Sequence, residues 1–212
     1  MAGPGVWTAT VDITAMSGAS SSVWNSYIGS EGNLQWLYDN RVTKIAEFVL
    51  GVVTASVTFS SIPGTYRHLV IQWMARGDVA ATETDLYLQF NGDTAANYDS
   101  ETYTFSGTTT ASIGISERIA TAGPRIGDVA GSTAVGSSAS GGTIVIPNYA
   151  GTTFQKLATA TCTIKRAAST GNLVTELDSE WWRSSAAINA ALLKPGSGNF
   201  VAGSTFQCYG MA

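Results

Sequence analysis

The chain has 212 residues, 44% hydrophobic and 10% aromatic, enough to bury one sizeable core and too many for a disordered chain. Only 12% are charged, and 11 Lys and Arg against 15 Asp and Glu leave a net charge of -4, which argues against a nucleic-acid backbone binder. No apolar run reaches transmembrane length, and the start MAGPGVWTATVD has neither the basic nor the apolar part of a signal peptide. No membrane insertion is expected, and synthesis is expected in a cytoplasm.

Residues 1–44 read as an arm. Val6, Trp7, Val11 and Ile13 are apolar anchors in an otherwise unpatterned start. A short helix is then predicted, with Ser21 or Ser22 as N-cap and Val23, Trp24, Tyr27, Ile28, Leu34, Leu37 and Tyr38 at helical spacing to about Asn40. Gly29 and Gly32 weaken it and can split it in two. Trp36 falls off the main apolar face. Such a segment either packs on its own chain or docks on another subunit or a larger assembly.

From Ile45 the pattern is β. Residues 46–62 hold two apolar runs, EFVLGVVT and ASVTFSSI, closed by Pro63-Gly64. Residues 66–76 alternate with apolar side chains in both sets, which predicts a strand covered on both faces. Residues 84–90 place Leu86, Leu88 and Phe90 on one face, and Asn91-Gly92-Asp93 closes that strand. Residues 97–106 alternate around Tyr98, Tyr103 and Phe105, and 111–119 carry Ile113 and Ile115 on one face. The Gly- and Ser-rich stretch 120–142 reads as a loop, with Ile126 and Val129 as anchors. Further strands are predicted at 142–147, 154–166, 173–183, 187–193 and 205–211, with 194–198 as a turn. Nine or ten short strands predict an all-β fold, an antiparallel jelly-roll-like β-sandwich over 45–212, preceded by the arm.

Two groups of residues resemble bacteriophage virion proteins, often tail-associated, that join an N-terminal arm to a β-sandwich. In the arm these are Ile13-Thr14-Ala15, Asn25, Asn33-Leu34 and Trp36-Leu37. Downstream they are Val57–Pro63, Thr65–Leu69, Ala75-Arg76, Thr84–Asp93 and Asn97-Tyr98. Trp181, Ala187-Ile188, Ser197–Phe200, Ser204–Phe206 and Tyr209-Gly210 follow the same pattern near the end. The resemblance spans about 45–211 and implies a structural, non-enzymatic component of the virion, of tail-fibre or receptor-binding type or else a capsid decoration or head fibre. It also implies a homo-oligomer, a trimer, with Trp7, Trp24, Tyr27, Ile28, Leu34, Trp36 and Leu37 attaching residues 1–44 to other virion proteins.

Candidate chemistry is sparse, and no cofactor is expected. His68, the single histidine, reads as a packed sheet residue, because no strand–turn–helix elbow presents a serine to it. Asp85, Asp99, Glu101, Glu117, Asp178 and Glu180 are the carboxylates available for glycoside hydrolysis, Asp178 and Glu180 foremost because two tryptophans follow. Acids alternating along strands ordinarily form a solvated face. Asn91, Asp93 and Asp99 could offer oxygens to calcium, but their spacing is that of a turn. Cys162 and Cys208 read as buried thiols or one disulfide. Adjacent strand residues point to opposite faces, so one of Trp181 and Trp182 fills the core and the other faces outward, for a subunit contact or a host-surface glycan.

Overall fold

A computed structural model describes residues 42–106, 112–167 and 172–212. The arm residues Trp7, Trp24, Tyr27, Ile28, Leu34, Trp36 and Leu37, and the helix predicted around them, lie outside these residues. The described chain is all-β. Its strands are β1 (Val42–Val49), β2 (Val57–Phe59), β3 (His68–Ala75), β4 (Glu83–Phe90), β5 (Tyr98–Ser106) and β6 (Ser112–Thr121). They continue as β7 (Arg125–Ala130), β8 (Ser140–Pro147), β9 (Lys156–Lys165), β10 (Leu173–Trp182), β11 (Ala191–Pro195) and β12 (Thr205–Met211).

The strands form two antiparallel sheets. The larger has the order β1-β12-β3-β8-β9-β10-β5-β6, the smaller β2-β11-β4-β7. Residues 42–212 make one compact unit.

Alternation along β3 shows how the core is made. Leu69, Ile71, Trp73 and Ala75 point inward and are buried. They join Phe206 and Cys208 of β12, Ile144 and Ile146 of β8, and Leu86, Leu88 and Phe90 of β4 in one cluster fed by both sheets. Burial of this kind contributes roughly 1.5–3 kcal/mol per large side chain. Phe200 and Phe206 meet with ring centres 4.8 Å apart.

Three expectations need correction, and one open alternative is resolved. β3 is covered on one face only: Met74 is 60% exposed and Gln72 is exposed, with no layer against that face among the described residues. The stretch 120–142 is not all loop; Arg125–Ala130 pairs with β4 as β7. Gly127 lies there at a φ of 144° against Cys162 and Trp73, a conformation that suits glycine and disguises the strand in sequence. The strand expected at 187–193 starts at Ala191 and runs through Pro195, at the end of its pairing with β4. Cys162 and Cys208 are free, buried thiols.

Candidate functional site

β10 is built the wrong way round for a surface strand. Val174, Glu176, Asp178, Glu180 and Trp182 are buried, while Leu173, Thr175, Leu177, Ser179 and Trp181 are exposed. The acids expected on a solvated face therefore line the interior, and the apolar set faces outward. The cause is the layer opposite. Arg125 of β7, in the smaller sheet, meets β10 there, so the inner face is ionic rather than apolar.

Arg125 is the hub. Its Nη2 donates to Glu176 Oε1 at 2.5 Å and lies 3.0 Å from Asp128 Oδ2; its Nε is 3.6 Å from Asp85 Oδ1. Arg166 pairs with Glu83 and lies 3.3 Å from Asp128 Oδ2. Arg118 reaches Asp85 at 2.6 Å. From β5, the Thr104 hydroxyl donates to Glu176 at 3.1 Å and the Thr102 hydroxyl to Asp178 at 2.7 Å. The acids still outrun their partners. Glu176 Oε2, Asp178 Oδ2 and both oxygens of Glu180 are buried without a hydrogen bond among the described residues.

Burial disfavours the charged form of such groups. It pushes the Asp178 carboxyl up to about 7 and that of Glu180 well above the usual carboxylate range. Burial and then the charge of Glu176 raise Asp128 as well.

The outer face carries the exposed apolar side chains. Register places Trp181 beside Asp99, Ser179 beside Glu101, Leu177 beside Tyr103 and Thr175 beside Phe105. The next strand sets Ile113 against Phe105, Ile115 against Tyr103 and Glu117 against Glu101. Leu157 of β9 flanks Trp181 on the other side. A shallow groove of about 330 Å³ runs here, lined by Trp181, Leu157, Asp99, Glu101 and Glu117. The Arg183 guanidinium sits 5.8 Å from the centre of the Trp181 ring and pairs with Asp99 at 2.5 Å.

The two tryptophans divide between the faces. Trp181 is 41% exposed and Trp182 3%. Trp182 stacks on Tyr98 with centres 6.3 Å apart and donates its Nε1–H to Asp93 Oδ2 at 2.8 Å. The side chains of Asp178 and Glu180 are buried on the inner face, so although Glu180 borders the groove its carboxyl is turned away from a sugar stacked on Trp181.

The other candidates have structural partners. His68 Nδ1 accepts the Asn148 N–H at 3.2 Å. Asp93 accepts from Ala95, Asn97 and Trp182, and Asn91 bonds Ala187, Asn189 and Ala190, so both close turns. Among the described residues no group of three or more His, Cys, Asp or Glu is arranged to hold a metal ion. Sequence reasoning missed Arg125, Asp128, Arg166 and Glu176. The alternation of Glu176, Asp178 and Glu180 with Leu177, Ser179 and Trp181 marks a two-faced strand but not which face turns inward.

Comparisons with family models, with characterised proteins and with solved structures return no match to this chain.

Proposed function

We propose that the protein is a non-enzymatic structural component of a bacteriophage particle, a homo-oligomer attached through residues 1–44 to other virion proteins. The observation that carries this reading is the inverted β10. A sheet that keeps acids inside and turns Leu173, Leu177, Trp181, Phe105, Ile113 and Ile115 outward has the surface of a subunit interface. The topology supports the architecture that accompanies it. With β5–β6 and β9–β10 set aside, the orders β1-β12-β3-β8 and β2-β11-β4-β7 support a jelly-roll-like reading, in which the two extra strand pairs extend one sheet.

Tail-fibre or receptor-binding placement is the first choice on the particle, and a capsid-decoration or head-fibre role the alternative. A second reading, a carbohydrate-binding module, is favoured by Trp181 in its groove with carboxylate acceptors beside it. Immunogold labelling of intact particles with antibody against residues 45–212 tests the first reading. Label at the tail or on the head is expected, and its absence from every particle overturns the proposal. Loss of glycan-array binding in Trp181→Ala would instead favour the module.

A further inference from the structure

The large sheet ends in two unpaired edges among the described residues. Among the described residues β1 pairs only with β12, and β6 only with β5. Both edge strands are long and carry exposed apolar residues. Val42 and Val49 of β1 are exposed, as are Ile113, Ile115 and Ile119 of β6 at 67%, 64% and 65%. Edges of this kind are templates for another strand unless charge or a bulge prevents it.

The charges on these edges discriminate between partners. The outward row of β1, set by its pairing with Met211, Tyr209, Gln207 and Thr205, is Val42, Lys44, Glu47 and Val49. The outward row of β6 is Ile113, Ile115 and Glu117, followed by the exposed Ile119. Antiparallel pairing of β1 with β6 of another copy puts Val49 against Ile113, Glu47 against Ile115, Lys44 against Glu117 and Val42 against Ile119. The irregularity between Lys44 and Ala46 absorbs the one extra residue of β1. Apolar meets apolar at both ends, and Lys44, which bridges Glu47 of its own strand at 2.6 Å, lies between that carboxylate and Glu117 of the neighbouring copy. Two β6 strands centred on Ser116 would instead leave each Glu117 against an isoleucine with no cation.

We infer that β1 of one copy pairs with β6 of the next, continuing the eight-stranded sheet from subunit to subunit. The inference deepens the oligomeric part of the proposed function and rests on that part alone. The contact is heterologous, so copies close into a ring of three or more when the rotation between them divides a full turn, and run on as a filament when it does not.

Charge exchange tests it in the full-length chain, read by sedimentation and mass photometry with circular dichroism as the folding control. Wild type is expected as an assembly of three or more copies. Glu117→Lys, at a site outside any intrachain ion pair among the described residues, should weaken assembly by about tenfold or more. Lys44→Glu should weaken it at least as much, because it also removes the intrachain pair with Glu47, and adding Glu117→Lys to Lys44→Glu should recover a measurable part of the loss. A second route avoids charge. Val49→Cys with Ile113→Cys should give disulfide-linked multimers on mild oxidation, since the two edges of one chain cannot reach each other. A wild type that stays monomeric or stops at a dimer overturns the inference. So does assembly indifferent to both charge changes, or a cysteine pair that forms no links. Any of these results would leave labelling of particles unaffected, so the structural-component reading stands or falls separately.

Discussion

β3 and β10 lie in the same sheet and follow opposite rules. β3 buries Leu69, Ile71 and Trp73 and shows Gln72 and Met74 to the outside. β10 buries Glu176, Asp178 and Glu180 and shows Leu177 and Trp181. The first strand is stabilised by transfer of apolar surface from water. The second is held chiefly by Arg125, with Arg166 4.0 Å from Glu176, and their attraction has to offset the cost of removing several carboxylates from water. The difference teaches that the sheet has two ends with different chemistry: an apolar half that folds on itself, and a polar half whose apolar outer face has no partner among the described residues.

The comparison breaks most severely at its anchors. Phe206→Ala, in the apolar half, should lower stability by about 3–5 kcal/mol, measured by urea unfolding. Arg125→Met should cost about 3 kcal/mol, because Glu176 and Asp128 lose a shared cation while still buried. The two should differ in rescue. Adding Glu176→Gln and Asp128→Asn to Arg125→Met should recover much of the loss, whereas no charge change should rescue Phe206→Ala. A triple variant as unstable as the single one would mean that Arg125 acts by packing and that the two halves are alike.

Next in size is the pH dependence. Asp178 has its folded pKa raised to about 7, against an ordinary value of about 3.9. Between those values the folded chain holds the proton and the unfolded chain has lost it. Its contribution is therefore complete below the lower value and lost as pH rises through about 7. Glu180 acts in the same direction. Asp78 acts oppositely: hydrogen bonds from the Asn199 side chain and backbone hold it low, so its contribution is lost as pH falls. Melting temperature should thus fall from mildly acidic to mildly alkaline pH. Asp178→Asn with Glu180→Gln should flatten that slope, and an unchanged slope in the double variant would remove these acids as its cause.

This contrast also explains what could be read in advance. Strands of the apolar half were legible because Leu, Ile and Phe alternate with polar residues, as in Leu86-Tyr87-Leu88-Gln89-Phe90. Strand existence was legible at β10 too, but its facing was not, since polarity alone sends Glu176, Asp178 and Glu180 to solvent. Nothing local in RIGDVA announces that Arg125 waits on the opposite sheet. That partner is brought by tertiary pairing of β7 with β4. The groove at Trp181 was legible only as one outward tryptophan, because Glu101 and Glu117 join it through pairings across three strands.

The smallest effect on the isolated fold belongs to the outer face, and it separates the two readings of that face. Leu177→Thr and Ile115→Thr replace exposed apolar residues with a good strand former, so the stability of a single subunit should shift within about 0.5 kcal/mol. Were the face merely solvent-exposed, nothing else would change. Were it covered in the assembly, the same substitutions should lower assembly while leaving the unfolding of the dissociated subunit untouched. Dilution-dependent melting distinguishes the two, because stabilisation by a partner subunit varies with concentration and intrachain packing does not. A wild-type melting temperature independent of concentration would make the inverted β10 a feature of the subunit alone, with acids buried for the sake of Arg125 and apolar residues outward by default.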